Sequence, residues 1–158
     1  MGPKPSAWGS GEQDLPPSLT THGKPSPMQD LVGPGQGEPS SEPALPDLGQ
    51  LFDHSSDTET LLPAAQPIVA WHYPQPRTVA MYTLTSARQA PAPSNWRLEA
   101  SDDGQHWMVL DARKHERFDW ARQTRAFVIH QPGQHAYYRL RFDNEAPTAL
   151  AEIGLLGR

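Results

Sequence analysis

Nowhere does this chain sustain an apolar period of 3.6 residues over three helical turns; its apolar residues alternate with polar ones in short runs. Asn95–Ser101 is the clearest case, with Trp96, Leu98 and Ala100 on one side and Arg97, Glu99 and Ser101 on the other. That period of two belongs to a half-buried strand. Tyr137–Phe142 repeats it, with Tyr138, Leu140 and Phe142 inward and Tyr137, Arg139 and Arg141 outward. His106–Leu110 reads as a strand with Trp107 and Val109 inward, and Ala126–His130 as one with Phe127 and Ile129 inward. Ile68–Tyr73, closed by Pro74, and then Thr78–Thr85 and Leu150–Leu156 are further β-rich runs. In the run Trp71-His72-Tyr73 the pattern assigns Trp71 to neither face. Asp102-Asp103-Gly104 is a hairpin turn, and Ala44–Phe52 suggests one short helical turn with Pro46 near its start. Such runs, about seven or eight in all, predict an all-β, antiparallel jelly-roll sandwich.

The material for a core is unevenly placed. Residues 1–50 hold 10 of the 18 prolines and 8 of the 12 glycines, while residues 51–158 hold all four Phe, all four Tyr and four of the five Trp. A segment as poor in apolar surface as the first cannot offset its own ordering entropy. The expected organisation is therefore an extended Pro/Gly-rich arm over 1–44 and a sandwich over 45–158. The arm reads either as a flexible linker or as a tether that lays Trp8, Leu15, Leu19, Met28 and Leu31 into a groove of a partner chain. On the tether reading residues 1–44 run extended, with almost no regular secondary structure.

Charge and composition exclude several function classes. A formal charge of −5 with no basic run argues against a nucleic-acid partner. There is no cysteine, hence no disulfide framework, thiolate nucleophile or Cys-type zinc site. No run of eighteen apolar residues exists, so no membrane insertion is expected. The opening Met-Gly-Pro-Lys-Pro-Ser fits the myristoylation pattern only formally, and no apolar stretch of a secretory signal follows it. Met1 is read as the start of a whole gene product. Gly-x-Ser-x-Gly, His-Glu-x-x-His and phosphate-loop motifs are all missing. Asp102 and Asp103 belong to a turn rather than to an acid–base pair, so the expectation is that the protein is not an enzyme.

Four segments in order carry a resemblance: LFDHSSDTET (51–60), PSNWRLEASDDGQHWMVLD (93–111), HAYYRLRF (135–142) and ALAEIGLLG (149–157). Together they resemble the discoidin-like (galactose-binding-like, coagulation factor V/VIII C-type) family. Within it they are most similar to modules appended to bacterial glycoside hydrolases and to family-32 carbohydrate-binding modules. The match spans roughly residues 34–158, and ERFDWARQTRAF (116–127) also resembles a segment of the appended modules. The resemblance implies a non-catalytic binding or adhesion module for a glycan or other cell-surface ligand. The alternative is a structural or decoration component of a larger assembly, such as a phage virion or tail, with no small-molecule ligand.

The same resemblance implies one structural Ca²⁺, held where the 51–60 loop meets the last strand. Carried over by position, Asp53, Ser55, Thr58 and Glu152 are its ligands, with His54 and Thr60 standing where the family has Gly and Trp. Oxygen donors of this kind suit Ca²⁺. Read without the family, Asp53 and Thr58 simply cap a turn. For the ligand, a sugar site needs a flat aromatic face beside groups that bond hydroxyls. Trp120, in a polar stretch, with Arg122 and Arg88, is the candidate; otherwise Trp120 covers the sandwich edge.

Overall fold

A computed structural model of the chain describes residues 6–7, 9–10, 28–33 and 35–158. Two short strands, β1 (Ser6–Ala7) and β2 (Gly9–Ser10), pair with each other. The rest is two antiparallel layers. In the first, β4 (Glu38–Glu42), the first half of β6 (Ile68–Ser86), β10 (Gln134–Phe142), β7 (Trp96–Ser101) and β8 (Met108–Arg113) lie side by side. In the second, β9 (Thr124–Val128) and β11 (Thr148–Gly157) flank the other half of β6. Beyond β11 lie β5 (Thr60–Leu62) and β3 (Gln29–Asp30). A 3-10 turn, Leu48–Phe52, stands at the place expected of a helical turn and buries Leu51 and Phe52.

Ile68–Tyr73 and Thr78–Thr85 are thus one strand of 19 residues rather than two. The sequence break at Pro74 marks where it changes sheets. His72 pairs with Tyr137 and Arg77 with His135, so residues 73–76 bulge out opposite Ala136. Pro74 and Pro76 fall in that bulge, where no ladder bond needs an N–H.

Buried aromatics fill the space between the layers: Trp71, Tyr73, Tyr82, Trp96, Phe127, Tyr138 and Phe142. Each buried phenol has a partner. Tyr73 donates to the Leu31 carbonyl at 2.6 Å, Tyr138 to the Arg77 carbonyl at 2.5 Å, and Tyr82 to Asp111 Oδ2 at 2.6 Å. Trp96 Nε1 in turn donates to the Tyr82 hydroxyl at 2.8 Å. Burial therefore raises all three phenols, Tyr138 to about 12, and they stay neutral donors.

Eight of the ten residues expected to face inward are buried. The exceptions are Trp107, half-buried, and Val109, 51% exposed. The return strand starts at Met108, not His106, because residues 102–107 form a longer connection wired by Asp103 and Ser101. A register shift between Leu98 and Glu99 then reverses the alternation. One slipped residue moves every following side chain to the other face. Trp107 ends half-buried on the outer surface, with the Arg139 guanidinium 3.9 Å above its ring.

The sandwich also starts earlier than residue 45. Asp30 and Gln29 pair with Leu156 and Gly157, and Leu31 N donates to the Leu155 carbonyl at 2.8 Å. Glu38–Glu42 lies along Ile68–His72. Leu31, expected to touch a partner, is fully buried in its own core, and Val32 beside it is 3% exposed. Strand pairing and these apolar side chains thus draw 28–42 into the fold, correcting the expectation of an arm without regular structure to residue 44. Met28 is 46% exposed; Trp8, Leu15 and Leu19 lie outside the described residues. Gly33, Gly35 and Gly37, all at positive φ, turn the chain from β3 into β4.

Two substitutions test this packing. Trp96→Ala should cost about 3–5 kcal/mol, whereas Trp107→Ala should cost roughly 0.5–2 kcal/mol, the scale of one cation–π contact. Chemical denaturation resolves the difference; equal losses would place Trp107 in the core. At Gly157 an added Cβ would lie 1.7 Å from the Thr78 carbonyl oxygen. Because that contact is backbone, Gly157→Ala should destabilise by about 1–3 kcal/mol, readable as a fall in the melting temperature.

Candidate functional site

Three chain segments meet at one end of the sandwich: the loop after the 3-10 turn (53–59), the turn that leaves β6 (86–88), and the turn that enters β9 (119–123). Ser86 holds the last two together. Its hydroxyl donates to the Trp120 carbonyl at 3.0 Å and accepts from Gln123 N at 2.9 Å. Arg122 N adds a longer bond to the Ala87 carbonyl at 3.4 Å. Arg122 adopts φ 58°, a left-handed turn conformation costly for a non-glycine residue. Its guanidinium reaches Asp57 at 3.1 Å, and the Arg88 amide donates to Glu59 Oε1 at 3.2 Å. The 53–59 loop is thus bonded to both neighbouring turns.

Trp120 projects from this scaffold with 64% of its surface exposed. Arg88 is exposed, and its side chain has no partner among the described residues. The three residues singled out for a ligand therefore stand on adjoining turns. Of them Arg122 is the least available, since Asp57 holds it.

Asp53, Ser55, Thr58 and Glu152 also come together, although Glu152 arrives from β11, 97 residues beyond Ser55. Ser55 N donates to Glu152 Oε2 at 2.8 Å and to Asp53 Oδ1 at 3.0 Å. The Thr58 hydroxyl donates to Asp53 Oδ2 at 2.5 Å. The two carboxyl groups are near enough to shift each other's ionisation. Burial first, then the neighbouring Asp53 carboxyl, push Glu152 up to about 7. For Asp53 burial is the largest influence and acts upward. The Thr58 bond, the neighbouring Glu152 and backbone amides outweigh it and hold Asp53 below the usual range.

A carboxylate pair this close needs a proton or a cation between its members. Its chemistry fits a hard cation, with two carboxylates, a hydroxyl and the Ser55 side chain at hand. Among the described residues no group of three His, Cys, Asp or Glu could hold a metal, so carbonyl oxygens would have to complete any coordination shell. The turn-capping bonds expected without a cation are present as well.

Solved structures share this architecture. An F5/8 type C domain from Bacteroides fragilis matches with TM-score 0.68 and 13% identity, covering 85% of this chain and 99% of that one. The fold is that of the discoidin-like, galactose-binding-like modules. Other discoidin-like neighbours are carbohydrate-binding modules. One is a family-32 module from Clostridium perfringens in complex with GalNAc-β-1,3-galactose, with TM-score 0.66, 10% identity and coverage of 80% and 99%. Another is the family-32 module of AlyQ in complex with 4,5-unsaturated mannuronic acid, with TM-score 0.65, 9% identity and coverage of 82% and 98%. No protein-family model and no curated sequence matches the chain. At these identities the discoidin-like likeness establishes the fold alone.

Sequence reasoning missed the residues that wire the site: Asp57, Glu59 and Ser86. Nothing in their local pattern marks them, because each acts on a segment distant in sequence. The acid pair has a pH signature. Glu152 stabilises the fold fully below about pH 4.5, its ordinary value, and that contribution is lost as pH rises through about 7. In chelator, the melting temperature should therefore fall across this interval, and Glu152→Gln should remove that part of the fall. A slope unchanged by the substitution would show that Glu152 does not titrate in this way.

Proposed function

We propose that this protein is a non-catalytic glycan-binding module, with its saccharide site at the Trp120 turn. The observation that carries the reading is a large, exposed indole on a turn fixed by three bonds to its neighbours. A loop with a rigid backbone presents a flat apolar face at little ordering cost. Such a face stacks on the C–H surface of a sugar, while Arg88 and the accessible edge of Arg122 donate to hydroxyls. The discoidin-like fold and the glycans bound by its structural neighbours support the same class of ligand.

On this reading Asp53 and Glu152 are the carboxylate ligands of one structural Ca²⁺, with Ser55 and Thr58 as further oxygen donors. The cation would neutralise the acid pair and brace the loop that Arg122 and Arg88 N lean on. A cation bound only by the folded chain raises its stability by mass action. Millimolar Ca²⁺ should thus raise the melting temperature at pH 7 and chelator lower it; identical melting curves would reject the cation.

The saccharide site is tested on a glycan array with wild type and Trp120→Ala. Loss of the hits in the variant, at unchanged melting temperature, is the expected result. Affinities should be weak, because a shallow site buries little area and hydroxyls are costly to desolvate. No hits for wild type, or hits indifferent to Trp120→Ala, would overturn the reading.

A further inference from the structure

The outer surface of the first sheet carries a groove of about 270 Å³ where β7, β8 and β10 end on the same side. Arg97 on β7 pairs directly with Arg141 on β10, and with Ala112 on β8 at its other edge. Like charges directly opposite in an antiparallel pair normally repel. Here only one carboxylate lies between them. Glu99 Oε2 is 3.9 Å from Arg97 Nε and 3.9 Å from Arg141 Nη1. Its other oxygen is already bonded to Arg139 Nε at 2.6 Å. One buried carboxylate thus serves three guanidinium groups.

Further cationic groups line the same groove. Lys114 is exposed and has no ion-pair partner among the described residues. Arg113 is committed to Asp111 at 3.1 Å, so the available positive charge belongs to Arg97, Arg141 and Lys114. Arg141 is held in place by donating from Nη2 to Gln66 Oε1 at 3.0 Å, while its Nε–H is buried and unpartnered. That bond uses the Gln66 carbonyl oxygen and leaves its amide N–H donors uncommitted among the described residues. Asp143 supplies an acceptor, and Ala112, on the same face as Arg97, supplies a small apolar contact.

We propose that this groove binds the acid group of one anionic sugar unit, a second saccharide site separate from Trp120. It shares with the reading above only the premise that the module takes saccharides. Two facing guanidinium groups match the two oxygens of a carboxylate, or those of a sulfate ester. Gln66 and Asp143 line the groove where ring hydroxyls would lie. The volume holds one sugar ring rather than a chain. With Glu99 and Asp143 close by, the groove neutralises about one charge, and the chain as a whole carries −5. A nucleic acid or polyphosphate would bring more negative charge than this groove offsets.

The test is calorimetric titration of the full chain at low salt with four probes: a hexuronic-acid trisaccharide, its methyl ester, a neutral trisaccharide and a sulfated neutral trisaccharide. The hexuronic acid should bind at least tenfold more tightly than its ester, and the preference should shrink as salt is raised. Arg97→Gln/Lys114→Gln alters two exposed side chains and should abolish that preference at unchanged melting temperature. Arg141→Gln should do the same, and its melting curve reports any loss of fold. The sulfated and uronic arms show which acid group the groove prefers. Equal binding of acid and ester, or a double variant that binds like wild type, overturns the proposal. Neutral-sugar binding lost only in Trp120→Ala would then leave the first site standing. Acid binding that survives Trp120→Ala in a protein with no neutral-sugar binding would sustain the groove alone.

Discussion

The structure hangs on β6. It runs through both layers, flanked by β4 and β10 along its first half and by β9 and β11 along its second. A strand paired on both edges has few backbone groups left to satisfy, so crossing between sheets costs little except at the bend. The bend is where Pro74 and Pro76 sit, residues that could not pair in any case. Tyr138 closes this region from the neighbouring strand, since its hydroxyl bonds the Arg77 carbonyl. The crossing brings Val69, Trp71 and Tyr73 of one layer into one core with Val79, Tyr82 and Leu84 of the other.

The polar chain running through that core is as informative as its apolar contacts. Trp96 bonds Tyr82, and Tyr82 bonds Asp111, which also takes Arg113. Arg113 in turn lies over the Phe127 ring, 4.8 Å from its centroid, and Phe127 meets Trp96 edge-on. Strands β6, β7, β8 and β9 are tied by one run of hydrogen bonds and ring contacts. A buried polar group without a partner is costly, so these donors and acceptors also select one arrangement of the two sheets.

The outer surface follows a different logic. Tyr137 stacks on His72 at 4.3 Å, while Trp107 lies under Arg139. Arg139 is bound to Glu99, whose remaining oxygen is shared between Arg97 and Arg141 at 3.9 Å from each. Aromatic rings are used up by their neighbours at one end of this face, and cationic groups are left underused at the other. At the loop end the balance is reversed, with the indole of Trp120 exposed and Arg122 engaged by Asp57.

Local pattern was a sound guide wherever a strand kept its alternation. Trp96, Leu98, Tyr138, Leu140 and Phe142 were readable as core because period two maps directly onto the two faces of a sheet. It misled where the count of residues was broken out of sight. The shift at Leu98–Glu99 put Trp107 outside, and no residue type in the hairpin signals it. The Pro/Gly-rich composition of the first 44 residues concealed β3 and β4, whose pairing depends on β11 and β6 rather than on local propensity. The convergence of Asp53 with Glu152 was readable only through the family resemblance. Position along the chain says nothing about a carboxylate arriving from the last strand. By itself, then, the sequence determined an antiparallel β architecture, most of its inner face and the exposed character of the Trp120 stretch. Those properties follow from the alternation and polarity of neighbouring residues, which act over a few positions. Only the tertiary structure decided that one strand serves both sheets, that Leu31 completes the core, and that Arg97 stands opposite Arg141. Each of these depends on register between segments far apart in the chain, and register is settled by the packing of the whole sandwich.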